Sequence, residues 1–262
     1  MAKKNILFKP YRKGDEHQAH WFDHDLVNLF SKSIRFWEKY FRYSTVGLEN
    51  IPKKGGALLA NNHGLVMFDV FLLARKLLAM NRPPRALSEH STWKFPIIRE
   101  VLLNMGIVDG NPKTAIRLLR QGDLVIVFPG GAKEGMKTSS ERYKLYWDDH
   151  YGFIKVAIAA GVPIIPCFSA GIDHTYHIFA SGYRLSKRLF GTFIPMPLFM
   201  GLGLMPLPVK ITHHIGKPIY MDVPAQAYRD PKTVKRLHRK VASAMTDLKI
   251  QALENYKPIA LS

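Results

Sequence analysis

Residues 58–77 read LLANNHGLVMFDVFLLARKL, and this stretch decides the fold class. The apolar run at 57–60 is typical of a short buried strand. From residue 70 to residue 80 the apolar residues indicate a helix instead. A polar loop that contains His63 and Asp69 joins the two segments. A strand that runs through a loop into a helix is the repeating unit of a parallel α/β sheet.

The same pattern recurs along the chain. Further strands are predicted at 44–48, 85–87, 124–128, 162–168 and 209–215. Helices are predicted at 25–41, 70–80, 93–105, 112–120, 151–160 and 230–255, with Asn111 capping one helix and Gly161 ending another. We therefore predict an α/β fold with a mainly parallel sheet covered by helices on both faces. Residues 1–44 are predicted to form a polar segment with an amphipathic helix, and residues 45–262 the α/β domain.

The composition indicates a globular chain with a negatively charged partner. Of 262 residues 47% are hydrophobic, and 38 Lys and Arg outnumber 20 Asp and Glu, which gives a net charge of +18. Such a charge favours nucleic acid, anionic lipid or a phosphorylated substrate. No nucleic-acid motif is present and the basic residues are spread along the chain, so nucleic acid is not expected. The single cysteine, Cys167, excludes an internal disulfide.

One segment concerns a membrane. Residues 189–209 carry no charge and approach the length of a spanning helix, but they contain four prolines and three glycines. We therefore expect a broken, surface-associated or acyl-lining segment. The basic, aromatic helix at 25–41 could lie on a membrane or pack on the domain. We expect a peripheral or monotopic protein at the cytoplasmic face of a membrane, bound to anionic lipids and without a signal peptide.

His63 and Asp69 lie where the strand meets its helix. The positive end of a helix dipole disfavours an imidazolium, so His63 would be a neutral base. Asp69 could accept a hydrogen bond from the other ring nitrogen, and Gly64 lets the loop bring the two together. The pattern also fits an ordinary loop histidine beside an aspartate that caps a helix, and the spacing leaves both interpretations open.

A glycine-rich block, VIVFPGGAKEGMK at 125–137, follows the central predicted strand. Consecutive glycines after a parallel strand let backbone N–H groups approach an anion. Lys133 and Lys137 add positive charge there, and Glu134 adds a carboxylate. The Gly-Lys-[Ser/Thr] ending of a Walker loop is absent. An ordinary turn between a strand and a helix is the other interpretation.

Four blocks in this order give the chain a family resemblance. They are NNHGLVMFD from Asn61, GIV from Gly106, VFPGGAKEG from Val127 and AGVPIIPCF from Ala160. In this order and spacing, the chain resembles the glycerolipid (lysophospholipid) acyltransferase superfamily over about residues 45–220. The likeness is greatest to its branch of diacylglycerol-acyltransferase-like and phytyl-ester-synthase-like members.

The resemblance implies a membrane-associated O-acyltransferase. It would move a fatty acyl group from acyl-CoA or acyl carrier protein to a hydroxyl of a lysophospholipid, an acylglycerol or another lipid-like alcohol. His63 would deprotonate the hydroxyl and Asp69 would orient His63, with no covalent acyl-enzyme, cofactor or metal. The substrate contacts that it implies are Asn62, Gly64, Pro129, Gly130, Gly131, Lys133 and Glu134.

The departures from the family pattern concern the acceptor. Five residues rather than four separate His63 from Asp69, as expected in the divergent branch. The usual Phe-Pro-Glu-Gly-Thr-Arg block is Phe-Pro-Gly-Gly-Ala-Lys here, so the glutamate is displaced to Glu134 and Lys133 replaces an arginine. Lysine binds phosphate only as a point charge. Asp109 follows the second block, which usually ends in arginine, and this weighs against a glycerol-3-phosphate or lysophosphatidate acceptor.

Two alternatives share the same residues. A hydrolase of acyl esters or thioesters would use water in place of the acceptor. A lipid-binding protein could keep the fold without the chemistry. The CFSAG sequence that contains Ser169 resembles a nucleophile elbow only weakly, because Cys167 replaces its first glycine. Asp173, His174 and His177 lack the frame of a zinc site, so no metal is predicted.

Overall fold

The computed structural model describes residues 34–88, 107–182, 197–254 and 256–257. Its strands are β1 (Ser44–Val46), β2 (Ala57–Asn61), β3 (Pro84–Ser88), β4 (Ile107–Asp109), β5 (Leu124–Val127), β6 (Ile164–Ala170), β7 (His177–Ala180), β8 (Leu198–Met200) and β9 (Thr212–Ile215). Its helices are α1 (34–40), α2 (Phe68–Ala79), α3 (Pro112–Arg120), α4 (Gly131–Gly135), α5 (Gly152–Ala160) and α6 (Pro231–Glu254). The helix predicted at 93–105 lies outside the described residues.

The main sheet has the strand order β1-β9-β6-β2-β5-β3-β4. The five strands from β6 to β4 are parallel to one another. Strand β9 runs antiparallel to β6, and β1 runs parallel to β9. The prediction of a mainly parallel sheet is confirmed, with one reversal at the β6–β9 boundary. Strands β7 and β8 form a separate antiparallel pair.

Strand β2 lies in the middle of the sheet, and all five of its residues are buried. Successive side chains of a strand point to opposite faces. Leu58 and Ala60 therefore pack in a cluster with α3, α5 and α6, while Ala57 and Leu59 pack with α2. Burial on both faces explains the uninterrupted apolar sequence of this strand. Helices thus cover both faces of the sheet, as predicted.

The ends of the helices follow the local signals. Asn111 caps α3, because its Oδ1 accepts a hydrogen bond from the Lys113 backbone N at 2.9 Å. Gly161, with φ of +72°, ends α5 in the left-handed conformation that glycine adopts without strain. Helix α6 buries four residues of its predicted apolar stripe against the sheet, namely Val234, Leu237, Val241 and Met245, while the fifth, Leu248, is partly buried.

Helix α1 packs on the domain, which is one of the two options that the sequence left open. Its Trp37 ring stacks on Phe41, and both rings contact Phe68 at the start of α2. Contact of this helix with a membrane stays a prediction. Among the described residues, no helix has both the length and the hydropathy needed to cross a bilayer. Residues 198–200 of the uncharged segment form strand β8.

Candidate active site

The candidate site lies at the carboxyl ends of three neighbouring parallel strands, β5, β2 and β6. Ala60 pairs with Val127 at the end of β5, and Asn61 pairs with Cys167, beyond which β6 continues to Ala170. The loops that follow them carry His63, Gly130 and Asp173. Ligands of parallel α/β sheets bind at this edge.

His63 is held at both its backbone groups and at its ring. Its backbone N donates to Glu134 Oε1 at 2.8 Å, and its carbonyl O accepts from Lys137 Nζ at 3.0 Å. The ring lies 4.6 Å from the Phe128 ring, centroid to centroid. Its Nδ1 lies 2.7 Å from the Gly64 carbonyl O. A carbonyl only accepts hydrogen bonds, so the neutral ring carries its hydrogen on Nδ1, and Nε2 is the basic nitrogen.

The pKa of His63 is lowered to about 4, chiefly by burial and to a smaller extent by the charge of Lys137. The Gly64 carbonyl and Asp173 oppose this shift by favouring the charged ring. The balance keeps the imidazole neutral at physiological pH. The sequence predicted a neutral base from the helix dipole, whereas the principal cause here is desolvation.

Two glycines shape the space around the His63 ring. A Cβ at Gly135 would lie 2.6 Å from His63 Nδ1 and 2.8 Å from Cε1, so the ring packs directly against this glycine. A Cβ at Gly64 would overlap the Ile172 side chain, so the loop touches the segment after β6. Sequence reasoning missed Gly135. The available signal was the second glycine of the GAKEG sequence, at the end of α4.

Asp69 is buried in the first turn of α2. The hydrogen bond of His63 Nδ1 goes to Gly64, and the Asp69 Oδ2 has no hydrogen-bond partner among the described residues. Burial raises the pKa of the Asp69 carboxyl to about 7, and a longer contact with Ser169 and the N–H groups of Val70 and Asp69 partly offset this. The predicted role of Asp69 in orienting His63 stays a prediction.

Asn62 ties the histidine loop to strand β6. Its Oδ1 accepts from the Ser169 backbone N at 2.7 Å, and its Nδ2 donates to the Ser169 carbonyl at 3.3 Å. The neighbouring Asn61 places Oδ1 3.0 Å from Nε2 of the buried His213. The structure thus encloses Asn62 beneath the loop, with 1% of its surface exposed. His213 and Asn61 were not among the predicted site residues, because their pairing joins distant strands.

Glu134 is fully buried and both its carboxylate oxygens are used. Oε1 accepts from the His63 backbone N, and Oε2 accepts from the Tyr146 backbone N at 2.9 Å. Burial raises the pKa of Glu134 to about 7, while Lys137 and the two N–H groups lower it. A Cβ at Gly130 would overlap Oε2, so the carboxylate occupies the space that a side chain at position 130 would need. Glu134 therefore holds the backbone of the His63 loop in place through its carboxylate.

Lys137 joins the three loops of the site. Its ammonium donates to the carbonyls of His63 and Glu134 and forms a 3.0 Å ion pair with Asp173, whose Oδ2 also accepts from the Tyr143 backbone N. The lysine and aspartate side chains are both almost fully buried. Three acceptors satisfy the three donors of an ammonium group. This cation therefore holds the loops together.

The remaining predicted contacts lie on the short helix after β5. Pro129 and Gly130 are buried, and Gly131, with φ of +56°, donates its backbone N–H to the Phe128 carbonyl at 3.0 Å. Lys133 is exposed, with Nζ 4.5 Å from the centroid of the Tyr146 ring. Of the predicted cations, Lys133 is thus the exposed one and Lys137 the internal one.

Comparison with known proteins gives the family and the fold of the chain. The family model described as Acyltransferase matches residues 42–170, which include His63, Asp69 and the glycine-rich block. The chain belongs to the acyltransferase superfamily. A crystal structure with the same fold is that of the 1-acyl-sn-glycerophosphate (LPA) acyltransferase PlsC from Thermotoga maritima. It aligns with a TM-score of 0.51 and 17% identity over 90% of this chain and 84% of that chain.

Relatives of this acyltransferase-superfamily chain occur in bacteria and animals. An uncharacterised protein of Mycobacterium leprae is 34% identical over 209 residues, which are 75% of this chain and 56% of that protein. The DGAT1/2-independent enzyme synthesizing storage lipids of Bos taurus is 32% identical over 228 residues, or 84% of this chain and 63% of that enzyme. The human enzyme of the same name is also 32% identical, with 84% and 65% covered. The chain thus spans a little over half the length of these relatives.

Proposed function

We propose that this chain transfers a fatty acyl group from a thioester donor to a hydroxyl of a lipid-like alcohol, with His63 as the general base. The donor is acyl-CoA or acyl carrier protein. The acceptor class includes lysophospholipids, acylglycerols and other long-chain alcohols. The family supports acyl transfer, and the storage-lipid relatives support a lipid acceptor.

The observation that carries the proposal is the tautomer of His63. Gly64 accepts the Nδ1 hydrogen at 2.7 Å, which leaves Nε2 with the free electron pair that a general base needs. The pKa of about 4 keeps this nitrogen unprotonated at pH 7. In this arrangement the Gly64 carbonyl orients the ring, and a part for Asp69 in orienting it stays a prediction.

The reaction needs a single proton carrier. His63 Nε2 takes the proton of the acceptor hydroxyl while the oxygen attacks the thioester carbonyl. The carbon–sulfur bond then breaks, and the thiolate takes the proton back from the imidazolium. Because burial disfavours the charged ring, the imidazolium readily gives up its proton to the leaving group. The products are an ester and a free thiol, and His63 returns to its starting state.

We also propose which type of acceptor the protein uses and that it contacts a membrane. Lys133 lies against an aromatic ring, and Lys137 is saturated by protein groups, so the described cations of the block do not form a phosphate clamp. This weighs against glycerol 3-phosphate and lysophosphatidate as acceptors, because their phosphate group would need such a clamp. The net charge of +18 supports peripheral contact with the anionic lipids of a cytoplasmic membrane face.

The test is acyl transfer from radiolabelled acyl-CoA into a mixed lipid extract, with products separated by thin-layer chromatography. Wild type should form a new lipid that His63→Ala does not form. His150→Ala is the matched control, because this histidine is exposed and lies outside the site. A lipid product that persists in His63→Ala would refute the proposed base. Free fatty acid as the sole His63-dependent product would identify a hydrolase instead.

A further inference from the structure

The described residues expose an apolar strip next to the candidate site. We call it the apolar ribbon, and it comprises β7, β8 and the turn at residues 201–205. Leu204 is 85% exposed. Five further large hydrophobic side chains of the ribbon are 44% to 64% exposed, namely Phe179, Leu198, Met200, Leu202 and Met205. An exposed apolar patch of this kind marks an interaction site.

The backbone of this ribbon is satisfied although its side chains are exposed. In the turn, Gly201 N donates to Gly203 O at 3.0 Å, and Leu202 N donates to Met205 O at 2.8 Å. Tyr176 Oη fixes the turn by donating to the Leu204 carbonyl at 3.0 Å. A segment whose backbone groups are already paired can enter an apolar phase without leaving them unsatisfied.

The ribbon forms one wall of the cleft beside the candidate site. Ile178 N in β7 donates to Ser139 Oγ at 2.8 Å. Tyr176 and Ile178 line a small cleft of about 10 Å³ together with Leu65 and Gly135 on the histidine side and with polar residues such as Lys137 and Asp173. Gly135 is the residue on which the His63 ring packs. The ribbon therefore adjoins the loops that hold the candidate base.

Exposed cations stand where the ribbon meets helix α1. Tyr40 Oη donates to the Pro206 carbonyl at 2.6 Å, and Ile211 N donates to the Phe41 carbonyl at 2.9 Å. These bonds place the end of α1 beside residues 206–211. The exposed basic residues of this corner are Arg35, Lys39, Arg42 and Lys210. Apolar side chains beside a row of cations match the boundary between acyl chains and anionic headgroups.

We propose that the apolar ribbon inserts into an anionic lipid bilayer and so holds the candidate site at the membrane surface, where a lipid substrate is found. A second copy of the chain is a weaker occupant, because a symmetric contact would bring the cations of both copies close together. Anionic lipid neutralises them instead. The inference rests on the proposed lipid-directed function for its purpose, but the binding itself does not depend on catalysis.

The test is sedimentation with phosphatidylcholine vesicles, with and without phosphatidylglycerol. Leu202→Gln/Leu204→Gln changes two exposed ribbon side chains, and Tyr220→Gln/Ile250→Gln removes two exposed apolar side chains elsewhere. We expect the ribbon variant to lose about tenfold or more in affinity for the anionic vesicles, given the apolar area it removes. The control variant should bind within about twofold of wild type, and binding should weaken with salt.

Two outcomes would overturn the inference. One is ribbon-variant binding equal to wild type. The other is a wild-type dimer that the ribbon variant converts to monomer in size-exclusion chromatography, which would show that a second copy covers the ribbon. His63→Ala protein should bind vesicles like wild type. Wild-type protein that binds the anionic vesicles but transfers no acyl group would count against the proposed function alone. Wild-type protein that transfers the acyl group but does not bind the vesicles would count against the ribbon alone.

Discussion

Gly130→Ala should destabilise the protein only because of Glu134. The backbone of Gly130 has φ of −75° and ψ of −10°, a conformation open to any residue. The new methyl would overlap Glu134 Oε2 and lie 2.7 Å from both Cβ and Cδ of Glu134. An ordinary carbon–carbon contact is about 3.5–4.0 Å, so the glutamate side chain must move by about 1 Å.

That movement breaks the hydrogen bonds to the carboxylate. Bonds of 2.8 Å and 2.9 Å to His63 N and Tyr146 N stretch beyond hydrogen-bond length when the acceptor moves by about 1 Å. A bond to a charged group contributes about 1.5–3 kcal/mol, so Gly130→Ala should lower the free energy of unfolding by about 3 kcal/mol or more. Glu134→Ala should cost a similar amount. The double variant should be no less stable than Glu134→Ala.

The measurement is a double-mutant cycle by urea unfolding, followed through tryptophan fluorescence. Gly152→Ala is the matched control, because a Cβ there meets nothing within 4 Å, and it should leave stability nearly unchanged. The expected coupling between positions 130 and 134 is about 3 kcal/mol. An equal cost of Gly130→Ala with and without the Glu134 side chain would refute the steric argument.

Three further changes test the site. Gly135→Ala should reduce acyl transfer about 100-fold in the radiolabel assay. The new Cβ would lie 2.6 Å from His63 Nδ1 and would shift the ring by about 1 Å. Activity near that of the control variant Gly152→Ala would contradict this prediction. Lys137→Met should lower the free energy of unfolding by about 3–5 kcal/mol in urea, because the buried Asp173 carboxylate then lacks a cation and keeps only its bond from the Tyr143 N–H. Adding Asp173→Asn should restore part of the loss, and additive costs would contradict the ion pair. The His63 ring is neutral above its pKa and should become protonated only near pH 4. NMR of labelled histidine, with the His63 signal assigned by comparison with His63→Ala, measures this titration. A midpoint near pH 6.5 would disprove the effect of desolvation.

The sequence predicted the elements that rest on local signals. The buried strands, the Asn111 cap and the Gly161 stop each depend on neighbouring residues, and the structure has them within a few positions. The reversed direction of β9 was not predicted, because it depends on pairing with β6, whose residues are distant in the sequence. The strand predicted at 209–215 accordingly shortens to four residues.

The sequence predicted which residues lie at the candidate site better than it predicted the contacts that they make. His63 and the glycine-rich block do meet at one edge of the sheet. The roles of Glu134 and Lys137 were not predicted, since a charged residue beside glycines suggests a ligand contact, and their partners come from other loops. The acceptor for His63 Nδ1 is a backbone carbonyl, which side-chain patterns do not reveal.

Because residue 63 is held by hydrogen bonds to its backbone, a variant that lacks the imidazole could be rescued by an imidazole added to the buffer. Glu134 holds its N–H and Lys137 holds its carbonyl, so neither bond needs the imidazole. His63→Gly should therefore keep the loop in place and leave a space of the size of an imidazole ring between Phe128 and Gly135. Free imidazole in the buffer could fill that gap, donate to the Gly64 carbonyl and restore part of the acyl transfer that the variant has lost.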